Sequence, residues 1–229
     1  MIKDKKYSTN IKYVDRESKS EYVFDKYQSI LDSSVLDVGA DAMHLKQRIL
    51  SAGGKYCGIG YGEGIDKEVD LESLPYDFKD GEFSTVICLD VLEHLENIHG
   101  AFDELCRISS KYLIISLPNP WAGFFSILLK GDYSNNESFK FYGLPVDRPH
   151  DRHRWFFSEK EAKAFVTENG RRNRFSTIQI DSLGDDKKMG GNGLKGIAGR
   201  LLLKMIFRKD IESLNFHHGT IWFVLEKIT

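Results

Sequence analysis

The run Ser34-Val35-Leu36-Asp37-Val38-Gly39-Ala40-Asp41 constrains the fold more than any other stretch of the chain. A short apolar segment ends in Asp-x-Gly and leads into sequence able to form a helix. That pattern reads as a buried strand that leaves a sheet, turns sharply and enters a helix. Gly39 permits the turn, because a side chain there would obstruct it. In open α/β sheets, ligands collect outside the carboxyl ends of the strands. Asp37 and the backbone after it are therefore placed to hold a small molecule.

The segments on either side repeat the theme. Residues 19–31 carry Val23, Tyr27, Ile30 and Leu31 at helical spacing. After the strand at 34–38, a helix is expected over about 43–52, ended by Gly53-Gly54. Strand two is expected at 56–59, followed by the glycine-rich link 60–64, and Val69-Asp70-Leu71 reads as a short edge strand. FSTVICL (83–89) is a buried central strand, 97–109 an amphipathic helix and 112–117 the next strand. Residues 120–157 are aromatic-rich and interrupted by Gly and Pro, a lid or acceptor-binding insertion, since connections of this length are usually functional. Ser158 and Glu161 form a capping box for a helix that Gly170 ends. Strands follow at 175–180 and 220–228. Alternating strands and helices predict one α/β domain over 1–229, a doubly wound sheet in which one of the last strands is antiparallel. Between those two strands lies a basic amphipathic excursion, 185–210. MGGNG (189–193) is its hinge, and Leu194, Ile197, Ala198, Leu201, Leu202, Met205 and Ile206 lie opposite Lys195, Arg200, Lys204 and Arg208.

Composition excludes several classes. Lys plus Arg is 32 against 34 Asp plus Glu, a net charge of −2, which lacks the basic footprint of a nucleic-acid binder. Residues 171–210 nevertheless hold ten Lys or Arg and four Asp, a local excess of +6. Cys57, Cys88 and Cys106 have no metal-ligand spacing and read as free thiols in a reducing compartment. MIKDKKYSTN lacks a signal-peptide core, and Tyr7 and Tyr13 could anchor an N-terminal arm. No apolar run approaches the ~20 residues of a membrane span. A cytoplasmic location is expected.

These residues resemble the class I S-adenosylmethionine-dependent methyltransferases, in particular a small-molecule branch of them. Asp37-Val38-Gly39 matches the start of that family's acidic-x-Gly-x-Gly-x-Gly loop. VDLESLPYDFKDGEFSTVICLDVLEHL (69–95) and ELCRISSKYLIISLPNP (104–120) match its fourth strand, following helix and fifth strand. The resemblance covers about 20–120 and implies a Rossmann-like, seven-stranded, mostly parallel sheet with helices on both faces and an antiparallel C-terminal strand. It also implies S-adenosylmethionine as cofactor. Two features depart from the family pattern. Asp41 and Met43 stand where the second and third glycines belong, and Gly60 stands where an acid usually grips the ribose; Glu63 or Asp66 could substitute.

The resemblance implies cofactor contacts from Asp37, Gly39, Ala40, Asp41, Gly60, Tyr61, Asp70, Leu71 and Asp90. Asp37 and Asp90 could instead cap turns, and Asp70 could be a plain edge-strand residue. His94 could be a general base, its ordinary pKa of about 6.5 suiting proton removal, or it could bond the helix that follows. His150, Asp151 and His153 could act as acid or base, or latch the lid. Sequence spacing supplies no third and fourth metal ligand, so no metal is expected. His217-His218 reads as solvated. The leading expectation is methyl transfer to a small molecule or a glycan or lipid precursor, at oxygen, with His94 or His153 as the base. No nucleic acid is expected as partner. The 194–208 helix packs on the core or a second copy by default, and its basic face also suits a membrane surface. The competing expectation is a non-catalytic methyltransferase-like binding or assembly module, its loop altered at Asp41, Met43 and Gly60. A nicotinamide dehydrogenase fits poorly, because G-x-G-x-x-G is absent.

Overall fold

The computed structural model describes residues 15–62, 64–131, 139, 141–149, 151–183 and 219–228, with positions 194, 197, 198, 201, 202 and 205. Tyr7, Tyr13, Glu63, His150, the 189–193 hinge, Lys195, Arg200, Lys204, Ile206, Arg208 and His217-His218 lie outside the described residues. The described strands are β1 (Ser34–Val38), β2 (Lys55–Gly60), β3 (Lys67–Glu68), β4 (Phe83–Leu89), β5 (Ser109–Pro118), β6 (Phe175–Leu183) and β7 (Thr220–Lys227). They form one sheet in the order β3-β2-β1-β4-β5-β7-β6. β1 to β5 pair in parallel, and β7 runs antiparallel between β5 and β6. This is the doubly wound, mostly parallel architecture expected.

Strand alternation divides the core into two layers. Val35, Ile87, Ile114, Trp222 and Val224 face one side. There α1 (Arg16–Tyr27) brings Tyr22, Val23 and Tyr27, and α2 (Lys46–Ser51) brings Ile49. Leu36, Val86, Leu113, Ile115 and Phe223 face the other side. They meet Phe102 and Leu105 of α3 (Ile98–Ile108) and Val166 of α5 (Glu159–Arg172). Trp222 anchors the first layer against Tyr22, their ring centroids 5.3 Å apart. Buried Lys26 is tied to Asp181 of β6 and to Tyr22 Oη.

Local chemistry sets the helix ends, and several differ from the sequence expectation. Asp15 caps α1 reciprocally with Ser18. The helix α2 begins at Lys46 rather than 43, because Met43 has φ of +50° and lies outside helical space. The edge strand is Lys67–Glu68, paired with Ile59 and Gly60, so Val69-Asp70-Leu71 follows it rather than forming it. In the connection after β5, α4 (Pro120–Lys130) starts on Pro120 and stops at left-handed Gly131. The capping box of α5 is present, with Ser158 and Glu161 bonded to each other's backbone. Gly170 does not end α5, which runs on to Arg172. Its missing side chain instead admits β7: a Cβ there would come within 2.6 Å of Leu225 Cδ2.

Leu194, Ile197, Ala198, Leu201, Leu202 and Met205 have helical backbone and are exposed. Core packing within this chain, one default for that stripe, is therefore not what these residues do. Among the described residues, no helix is long and apolar enough to cross a membrane.

Candidate active site

β1 pairs with β2 on one side and β4 on the other, so the order of strands reverses there. The crevice at that reversal is where open α/β sheets take ligands. Asp37 pairs in register with Ile87 of β4, close to the strand's carboxyl end. The turn after it keeps a glycine-like backbone without the glycines, with φ of +74° at Gly39, +45° at Asp41 and +50° at Met43. Asp tolerates this region; Met does so at a cost on the order of 1 kcal/mol. The turn is held by Gly39 N–H and Ala40 N–H, both donating to Ile59 O at 2.8 and 3.1 Å. Arg16 pairs with Asp41 from above.

A cavity of about 400 Å³ opens at this point, within the range of small-molecule sites. Asp37, Gly39, Ala40, Asp41 and Asp90 line it, as do His94 and His153. Asp37 is 6% exposed and accepts from Tyr56 Oη at 2.8 Å. Burial pushes its carboxyl up to about 6, with the Tyr56 hydrogen bond and the charge of Lys19 opposing the shift. Asp90, left-handed at φ +53°, accepts from Ser116 Oγ at 2.6 Å and pairs with Lys19 of α1.

The far wall is built by docking one strip of chain onto another. Arg154 N–H donates to Glu93 O at 2.7 Å, and Trp155 Nε1–H donates to Leu95 O at 2.8 Å. His94 Nδ1 lies 3.1 Å from Arg152 O and 2.8 Å from Asp151 Oδ1. These bonds bring His94 and His153 edge to face, ring centroids 4.6 Å apart. Phe141 stacks on His153 at 4.1 Å. Beneath both imidazoles lies Glu93, wholly buried, its carboxyl pushed well above the usual range by burial and then by Asp90. Ligand atoms of Glu93, His94 and His153 all lie within 4.8 Å of one another.

Other residues named from the sequence sit elsewhere. Gly60, Tyr61, Asp70 and Leu71 do not line the cavity. Asp70 caps its own turn, accepting from Glu72 N–H and Ser73 Oγ at 3.1 and 2.8 Å. A Cβ on Gly60 would meet Gly39 Cα at 3.3 Å with φ of +133°, so an acid is sterically unwelcome there. Asp66 is already engaged by Gly58 N–H and Lys46. Lys19, Glu93 and Tyr142, whose Oη lies 2.9 Å from His153 Nδ1, join the site without having been singled out from the sequence. Lys19 meets a partner 71 positions away, which no local pattern reveals. Glu93 lies within the run DVLEH (90–94), where nothing local marks it as buried.

Residues 14–174 match the model of a family described as a methyltransferase domain. The chain belongs to that family. No curated protein sequence matches this methyltransferase. Its fold is shared by the methyltransferase domain of bacterial CtHen1-C, at TM-score 0.59 and 16% identity over 93% of this chain and 98% of that one. Small RNA methyltransferase HEN1 matches at 0.58 and 14%, covering 98% of this chain and 27% of that one. Magnesium protoporphyrin IX methyltransferase from Synechocystis PCC 6803, solved with SAH, matches at 0.50 and 15%, over 94% and 89%. The methyltransferase uses S-adenosylmethionine, which supplies an electrophilic methyl group.

The residues present fit that cofactor. The buried carboxylate of Asp37 would neutralise its ammonium group. Met43 packs toward Gly58 and leaves the cavity clear. Lys19 and Arg16 of α1 pair with Asp90 and Asp41 at the cavity wall. The enzyme's remaining task is to hold the acceptor in line with the methyl group.

Proposed function

We propose that the methyl acceptor is a hydroxyl oxygen of a small molecule, or of a glycan or lipid-linked precursor, bearing an anionic group nearby. The observation that carries this reading is the pair of imidazoles on the same cavity as Asp37. A neutral amine can attack without help, whereas a hydroxyl needs its proton removed, and imidazole is suited to accept it near neutral pH. A second cavity, of about 580 Å³, adjoins His94 and is lined by Arg148, Arg152 and Arg154 with Asp151. Guanidinium groups in that number suit phosphate or carboxylate. The net charge of −2 weighs against RNA, and 14–16% identity to the RNA-related neighbours carries only the fold.

The exposed apolar positions 194–205 support a peripheral membrane contact in the same reading. Residues 187–209 hold seven Lys or Arg and no acid, and a helix with such a sequence suits an anionic interface. A second copy of the chain is the competing occupant.

Calorimetric titration with S-adenosylmethionine and its demethylated product tests the cofactor site. Submillimolar binding that Asp37→Ala abolishes supports the enzyme. Binding of neither would favour a non-catalytic module. A thermal-shift screen of phosphorylated sugars, lipid headgroups, amines and RNA, followed by locating the methyl group by mass spectrometry, tests the acceptor. An N-methyl product would overturn the oxygen assignment.

A further inference from the structure

We propose that Glu93, His94 and His153 bind one divalent transition-metal ion at the wall of the methyl-transfer cavity. Glu93 is wholly buried, yet no hydrogen bond reaches either of its carboxylate oxygens. A buried carboxyl left in that state carries its full desolvation penalty unless something else satisfies it. What faces it is two ring nitrogens: His94 Nε2 and His153 Nε2 each lie 3.8 Å from Glu93 Oε1. That is beyond hydrogen-bond reach.

The tautomers sharpen the point. His94 Nδ1 faces two acceptors, Asp151 Oδ1 and Arg152 O, so it carries the proton and Nε2 carries the lone pair. Tyr142 Oη donates to Trp155 O at 3.3 Å and lies 2.9 Å from His153 Nδ1. In the tautomer whose Nδ1–H donates to Tyr142 Oη, His153 Nε2 is the lone-pair nitrogen. Two imidazole lone pairs and a carboxylate thus converge. Three acceptors around one point suit a cation. Metal–ligand bonds of about 2.0–2.2 Å place two ligands of one ion roughly 3–4 Å apart, as the two Glu93–imidazole separations of 3.8 Å are. Two nitrogens and one carboxylate favour zinc, manganese, cobalt or iron over magnesium, and leave coordination positions open toward the cavity. Asp151 on His94 Nδ1 is the outer partner that metal-binding histidines usually have.

The role of the ion, though not the site, rests on methyl transfer to oxygen. An ion held there would acidify a coordinated hydroxyl, so His94 and His153 would promote the same deprotonation as ligands when an ion is bound and as bases when none is.

The test uses the full chain, stripped with a chelator, dialysed and titrated with Co2+ and Zn2+. One equivalent of Co2+ should bind with visible d–d bands, and Glu93→Gln and His153→Gln should abolish it. Tyr142→Phe keeps all three ligands and should weaken binding by about 10–100-fold, so the proposal remains testable if either ligand variant fails to fold. Thermal melts and S-adenosylhomocysteine titration on the same samples separate the two readings. A folded wild type that binds S-adenosylhomocysteine but no stoichiometric ion overturns the metal site. So does ion binding unchanged in the variants. Ion binding without nucleoside binding supports the site and overturns the methyl-transfer reading.

Discussion

Asp37 costs stability wherever it is ionised, because its carboxyl is buried. Its unfolded-state pKa is 3.8 and its folded value about 6. The folded state therefore binds more protons between those values, and the stability this carboxyl allows is fully present below pH 3.8 and lost as pH rises through about 6. Two pKa units correspond to about 3 kcal/mol at most. Asp37→Asn should accordingly melt higher than wild type above pH 6, with the difference vanishing toward pH 4, while cofactor affinity falls by more than tenfold. Wild-type affinity should itself rise with pH through this window, because the cationic ligand binds the ionised form. Differential scanning calorimetry and titration calorimetry across pH 4–8 check both signs; an Asn variant that melts lower at pH 8 would contradict them. The neighbouring turn shows the limit of reading motifs by letter. Asp41 and Met43 adopt the left-handed backbone that glycine usually supplies, so the geometry does not require glycine at those positions.

At the scale of elements, the local signals were the most legible. The Ser158–Glu161 box was readable from four letters, since a cap needs only neighbours in sequence. Ser158→Ala should cost about 1 kcal/mol in urea unfolding, with activity unchanged per folded molecule; a cost near zero would mean that Glu161 alone holds the helix start. Gly170 was misread because its neighbour is Leu225, on a distant strand. The 148–154 strip is different again. Its composition suggested a latch, but its position against Glu93 comes from the backbone bond of Arg154 N–H to Glu93 O, and the indole of the next residue, Trp155, fixes Leu95; neither contact carries a sequence signature. If its arginines recognise an anionic group away from the reacting atoms, Arg148→Gln with Arg154→Gln should raise acceptor KM several-fold and leave kcat nearly unaltered. A matching fall in kcat would place them in the chemical step instead.

Over the whole molecule, charge and exposed apolar surface are unevenly distributed. The described apolar positions of 194–205 are exposed, Leu194 at 87% and Met205 at 70%. Cosedimentation with vesicles containing anionic lipid should retain the protein and neutral vesicles should not, with binding lost in high salt or on Leu201→Glu with Leu202→Glu. A concentration-dependent dimer abolished by the same variant, without vesicle binding, would assign the surface to a second copy. The amino-acid sequence by itself determined the strand–helix alternation, the β1 turn at Asp37 and the buried character of FSTVICL (83–89), because hydrophobic periodicity and turn chemistry act over a few residues. It did not determine what meets across the crevice. Lys19 and Asp90, or Glu93 and His153, are 71 and 60 positions apart in the chain. Their encounter follows from two layers of helices packing on a twisted sheet, and only the tertiary structure decided it.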